Sequence, residues 1–116
     1  MPDANPAVAD IYGLSLLVTV SDAHTAKRRS AIVQVQPDYV TALGRSASAP
    51  HVPGETLQSA ADANCRLDKP GVFSFRFQHS VPYGDFANRN KCEYYGALSA
   101  EAAQELATFW DELKYG

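Results

Sequence analysis

Apolar and polar side chains alternate along several stretches of this chain, and changes of period from two to about 3.6 mark its elements. Leu14, Leu16, Val18 and Val20 fall on one face of an extended segment, with Ser15 and Thr19 on the other. This predicts a first strand over residues 11–21. A polar stretch, SDAHTAKRRS, follows over residues 21–30; then Ala31, Val33 and Val35 alternate with Ile32, Gln34 and Gln36 in a second strand that Pro37 ends. The two are expected to pair as an antiparallel hairpin with a wide loop. Pro37 and Asp38 suit a helix start and Gly44 a helix stop, so 39–43 is read as a short helix.

Residues 45–54, RSASAPHVPG, lack periodicity and read as an exposed connection. Leu57, Ala60, Ala61, Asn64 and Cys65 then recur at helical spacing behind Glu55, which predicts a helix over 55–67 with a narrow stripe of small residues. The clearest signal is Phe73, Phe75 and Phe77 alternating with Ser74, Arg76 and Gln78. It predicts a strand with one aromatic and one polar face, hence an antiparallel sheet partly wet on its other side. Residues 79–91 read as a long loop and 92–98, CEYYGAL, as a fourth strand. Ser99 caps a last helix in which Ala102, Leu106, Phe109, Trp110 and Leu113 form the apolar stripe, opposite Glu101, Glu105, Thr108 and Glu112.

The expected architecture is a two-layer α+β sandwich: a curved antiparallel sheet of about four strands, with helices packed on one face and a long C-terminal amphipathic helix. Residues 1–10, rich in proline and small side chains, are expected to fray, and 11–116 form a single domain. The expected core is Leu14, Leu16, Val18, Val33, Val35, Phe73, Phe75, Phe77, Leu106, Phe109 and Leu113.

Charge changes this picture locally. Thirteen acidic against 10 basic side chains leave a net charge of -3, which argues against a dedicated duplex-DNA or anionic-membrane binder. All of that excess lies after Leu98, in Glu101, Glu105, Asp111 and Glu112 against Lys114, so the preceding 98 residues are neutral. No run of apolar residues is long enough to cross a membrane, and no basic n-region precedes Ile11, so the chain is expected to be cytoplasmic. Cys65 and Cys92, 27 positions apart and outside any CxxC, are expected to be reduced thiols.

Candidate chemistry is sparse. Lys27, Arg28 and Arg29 can clamp a phosphate or an acidic partner, or simply guard a solvated loop. Arg76, His79, Tyr83 and Arg89, with Asp85, Lys91 and Glu93 nearby, are the ingredients of general acid–base phosphodiester cleavage, although no spacing fixes them around a point. Phe73, Phe75, Tyr94 and Trp110 can line an aromatic pocket for a small ligand. His24, His51, His79, Cys65 and Cys92 lack metal-ligand spacing, and the isolated glycines make neither a P-loop nor a dinucleotide fingerprint; no metal or cofactor is expected. The aromatic strand shares its alternation with the base-stacking strands of RNA-recognition domains, but Pro70 separates Lys69 from Gly71 and the first strand carries no second platform.

The leading expectation is a protein-binding module without catalytic activity, accessory or inhibitor-like, that also self-associates as a homodimer. A small hydrolase or nuclease using the 79–93 loop is the second reading, and a small-ligand binder with the aromatic pocket the third.

Overall fold

The structure, a computed structural model, describes residues 6–14, 28–87 and 92–115. Among these there are six strands, two short 3-10 helices and one α-helix: β1 Asp10–Leu14, β2 Arg28–Val35, β3 Tyr39–Ser46, β4 Thr56–Ser59, a 3-10 turn Ala63–Cys65, β5 Gly71–Pro82, a second 3-10 turn Tyr83–Ala87, β6 Cys92–Ala97 and α1 Ala100–Tyr115. All the strands join one antiparallel sheet in the order β4-β5-β3-β2-β1-β6. The fold is α+β, with a C-terminal helix against a sheet of six strands rather than four. No helix among the described residues is long and apolar enough to cross a membrane.

Two expected helices are strands. The segment 39–43 belongs to β3, which folds back on β2 through a tight turn at Pro37 and Asp38, closed by the Gln36 amide donating to the Tyr39 carbonyl at 2.8 Å. Proline presets the turn dihedral, and Tyr39, Val40 and Thr41 prefer a pleated surface to a helix. The expected helix 55–67 divides. Its first part is β4, where Leu57 pairs with Phe73; the rest is a closed turn in which Asp62 and Leu67 exchange backbone hydrogen bonds of 2.7 and 2.9 Å. The Asp62 carboxylate caps that turn by accepting from the Asn64 amide, a local bond that competes with helix formation.

Both faces of the sheet carry a buried cluster, while Phe75, Arg76, Gln78 and Ser80 of β5 are exposed, so the sheet stays partly wet as its alternation implies. One face carries Ile11, Ala31, Val33, Leu43 and Phe73 under Leu106, Phe109 and Trp110 of α1, with Cys65 and Leu67 from the closed turn. The other gathers Tyr12, Leu14, Ile32, Val40, Ala42 and Val81, with Tyr83 and Phe86 folded against it. The Phe86 ring meets Tyr12 edge-on at 4.9 Å. Leu14 is therefore core, on the face away from the helix. Leu16 and Val18 lie outside the described residues, and Val35 and Phe75 are exposed.

The aromatic strand explains the last point. Leu43 pairs with Gln78 and Arg45 with Phe73, so residues 74–77 face Gly44 alone, in a wide irregularity that breaks the alternation. Phe73 is 1% exposed in the helix-side core and Phe75 41% exposed. Phe77 sits against Gly44 on the other side of the sheet, stacked under Arg28 at 4.4 Å. Within the expected 79–91 loop, residues 79–82 are the end of β5 and Tyr83–Ala87 is the second 3-10 turn, and residues 88–91 lie outside the described residues.

The C-terminal helix matches its pattern. Ser99 accepts from the Ala102 amide at 3.2 Å, Leu106, Phe109 and Trp110 are buried, and Glu101, Glu105, Thr108 and Glu112 are exposed. Trp110 satisfies its indole N–H with Gln34 Oε1 at 3.1 Å. Within the segment expected to fray, the Ala9 amide donates to the Ile32 carbonyl and its own carbonyl accepts from Leu98, which ties residues 9 and 10 into the sheet.

Candidate functional site

The residues considered for catalysis are engaged separately. Arg76 turns toward β4, with Nε 3.2 Å from Glu55 Oε1. His79 lies near Arg28, with Nδ1 2.9 Å from the Phe77 carbonyl. A carbonyl only accepts, so Nδ1 carries the proton and Nε2 is a bare lone pair. That Nε2 is buried and has no hydrogen-bond partner among the described residues. Tyr83 packs against the cluster beyond β5. Arg89 and Lys91 lie outside the described residues.

Burial pushes the His79 imidazole below its ordinary value; the Phe77 carbonyl opposes this, and the Arg28 charge adds to it. A folded-state value below the unfolded one means that the unfolded chain binds the proton first as pH falls. Stability is therefore full above the ordinary value of 6.5 and declines as pH drops through it toward the folded-state value. His79→Asn, which cannot charge, is expected to lose less melting temperature than the wild type between neutral pH and pH 5. Parallel melting curves for the two proteins would show that His79 does not set this dependence.

The basic triplet does not converge. Arg28 and Arg29 begin β2, and adjacent strand residues point to opposite faces. Arg28 covers Phe77 and donates to the Arg45 carbonyl at 3.4 Å. Arg29 donates to the Arg66 carbonyl at 2.6 Å and pairs with Asp68 at 3.7 Å. With Arg66, which pairs with Glu93 at 3.4 Å, it brackets the Tyr95 ring and pins the closed turn to the sheet. Gly96 makes that contact possible: its φ of 132° and the Asn64 carbonyl, 2.6 Å from where a Cβ would stand, exclude a side chain. Lys27 and His24 lie outside the described residues.

The proposed aromatic pocket separates too. Phe73 and Trp110 are core on the helix side, Phe75 is exposed, and Tyr94 meets Tyr12 edge-on at 5.3 Å on the other face. Cys65 and Cys92 are buried and form no disulfide. Burial first, then the neighbouring Asp62, raise the Cys65 thiol to about 11, so it is protonated and a poor nucleophile at neutral pH. Among the described residues no group of three or more His, Cys, Asp or Glu side chains is placed to hold a metal ion.

Two features of the sheet margin were hidden by the expected helix at 55–67. β4 covers only residues 71–74 of β5, so beyond Phe75 the outer side of β5 has no strand beside it among the described residues. Two cavities also flank β4 and share Gln58, Ser59 and Ala60. One, of about 250 Å³, lies between β4 and the first turns of α1; the other, broader and more open at about 420 Å³, is bounded by His51, Gly71 and Val72. The stretch Thr56–Ser59 holds a single apolar residue, Leu57, so alternation gave no signal for this edge strand. Comparison with protein-family models and with curated protein sequences finds no match to this chain.

Proposed function

We propose that this chain is a non-catalytic protein-binding module that docks by strand addition along the outer side of β5, and that a second copy of the chain is the partner this edge accepts. The observation that carries the reading is the outer side of residues 77–81, beside which no strand lies among the described residues, next to an exposed Phe75. Edges are usually guarded by charge. Here the single charged side chain from Phe75 to the strand end is Arg76, already paired with Glu55.

An antiparallel edge can pair with itself about a twofold axis. Centred on Gln78, such a pairing sets Phe75 opposite Val81 of the second copy, Phe77 opposite His79 and Arg76 opposite Ser80. Apolar meets apolar, aromatic meets a neutral imidazole, and no like charges are opposed.

Light scattering over a concentration series is expected to show a dimer. Gln78→Lys places two ammonium groups face to face at the axis and is expected to weaken self-association on the order of tenfold. Gln78 is exposed, so the monomer keeps its melting temperature at low concentration. A strict monomer throughout the series, or a dimer indifferent to Gln78→Lys, would refute the reading.

A further inference from the structure

We propose that the outer side of β4, beside which no strand lies among the described residues, is a second docking site, distinct from the β5 edge, for an extended peptide segment that presents a basic side chain followed by an uncharged one. The two flanking cavities carry this inference. Leu57 and Phe73 are paired and face α1, whereas Gln58 and Val72, one step along each strand, are paired and face the opposite side. A strand added beside β4 sends successive side chains to opposite faces, and a cavity awaits them on each.

The cavity beside α1 selects the basic side chain. Its floor is apolar, made by Leu57, Phe73 and Leu98, while Asp62, Glu101 and Glu105 stand around it. Among the described residues the ion pairs engage Glu55, Asp68 and Glu93, and none is formed by these three carboxylates. At about 250 Å³ the space falls below the usual range of small-molecule pockets, roughly 300–1,000 Å³. It suits one long side chain with an alkyl stem and a cationic head, which is a lysine or arginine. The cavity on the other face is bounded by Ala49, His51, Gly71 and Val72 without a carboxylate, and it suits a neutral residue.

The probe is a blocked hexapeptide of alternating threonine and valine with one central lysine, and two counterparts with norleucine or glutamate in its place. Amide and methyl NMR spectra of the wild-type chain are expected to shift at Gln58, Ser59 and Ala60 and at the Leu57 and Leu98 methyls. Affinity is expected to fall from lysine to norleucine to glutamate, and to fall with salt. Glu101→Gln combined with Glu105→Gln is expected to weaken the lysine peptide roughly tenfold while leaving the melting temperature close to wild type, because both side chains are exposed. The same titration on Gln78→Lys separates the two edges, since β4 binding persists there whether or not the chain dimerises. Equal affinity for the lysine and glutamate peptides, no effect of the double substitution, or shifts confined to 76–82 would each overturn the assignment.

Discussion

Phe73→Ala is expected to cost about 3–5 kcal/mol of unfolding free energy, the usual range for truncating a fully buried phenylalanine. For a chain of this length that corresponds to a fall of roughly 12–20 °C in melting temperature. Phe73 is the largest fully buried side chain among the described residues, and it lies where three elements meet. It pairs with Leu57 on one side and Arg45 on the other, and it packs in the cluster closed by Leu106, Phe109 and Trp110. None of these neighbours is free to collapse into the space it leaves, since β4 and β3 are held by their ladders and α1 by its own stripe. The comparison is Phe75→Ala, two residues along the same strand, which is expected to fall within about 0.5 kcal/mol of wild type because Phe75 is 41% exposed. Equal losses at the two positions in denaturant titrations would mean that the register of β5 is not the one described.

That contrast shows what periodicity could and could not reveal. Phe73, Phe75 and Phe77 are indistinguishable by alternation, and alternation correctly marked a strand. Gly44 opposite residues 74–77 lets the β5 backbone run out of step with β3, so the three rings reach the helix-side core, solvent and the Arg28 side of the sheet. Nothing local in FSFRF announces this. The signal is a glycine 30 residues earlier, whose meaning depends on which strand lies beside it. Helix α1 was legible to the residue because its cap, apolar stripe and acidic face are all local properties.

Of the two central strands β2 was read as a strand, and β3 was misread for a different reason. β2 and β3 are buried on both faces, with Ser30, Ala31, Ile32 and Val33 in one and residues 40–45 in the other covered throughout. A strand covered on both sides loses its alternation, and a short apolar run between Pro37 and Gly44 is ambiguous with a helix. The helix misread at 55–67 arose from the helical spacing of Leu57, Ala60, Ala61, Asn64 and Cys65, residues that here are divided between an edge strand and a tight connection capped by Asp62. The same misreading hid the sheet margin. An edge strand, its two cavities and the half of β5 that no described strand covers become visible only once 56–59 is recognised as the last strand of the sheet. The acidic tail, in contrast, was placed correctly on the helix surface. Its first two carboxylates acquire a use only beside β4.

Arg45→Leu is expected to be the second severe substitution, on the order of 3 kcal/mol or more, although it replaces a buried charge with an apolar side chain. Arg45 is 7% exposed, and its guanidinium is held by neutral acceptors: Nε donates to Ser59 Oγ at 3.1 Å, and Nη2 donates to the carbonyls of Lys69 at 2.6 Å, Ser59 at 3.2 Å and Ala60 at 3.3 Å. Burial lowers its pKa and the Phe73 ring lies 5.9 Å from its charge, yet a guanidinium stays protonated in a folded protein. These bonds draw together the end of β4 and the start of β5, closing the 59–70 excursion onto the sheet. Leucine would remove the cost of burying the cation but leave the Lys69 carbonyl without its short donor, and an acceptor stranded away from water costs about 1–3 kcal/mol. The loss is expected to be local before it is global, with hydrogen exchange accelerating at Asp62 and Leu67, whose paired amides close the turn, ahead of the amides of β2 and β3. Arg45→Lys, with three donors on a flexible stem, is expected to recover only part of the stability, since one ammonium cannot span the hydroxyl and the carbonyls that the planar fork reaches together. Uniform exchange across the sheet in Arg45→Leu would show that the guanidinium acts on the whole core rather than as the clasp of this excursion.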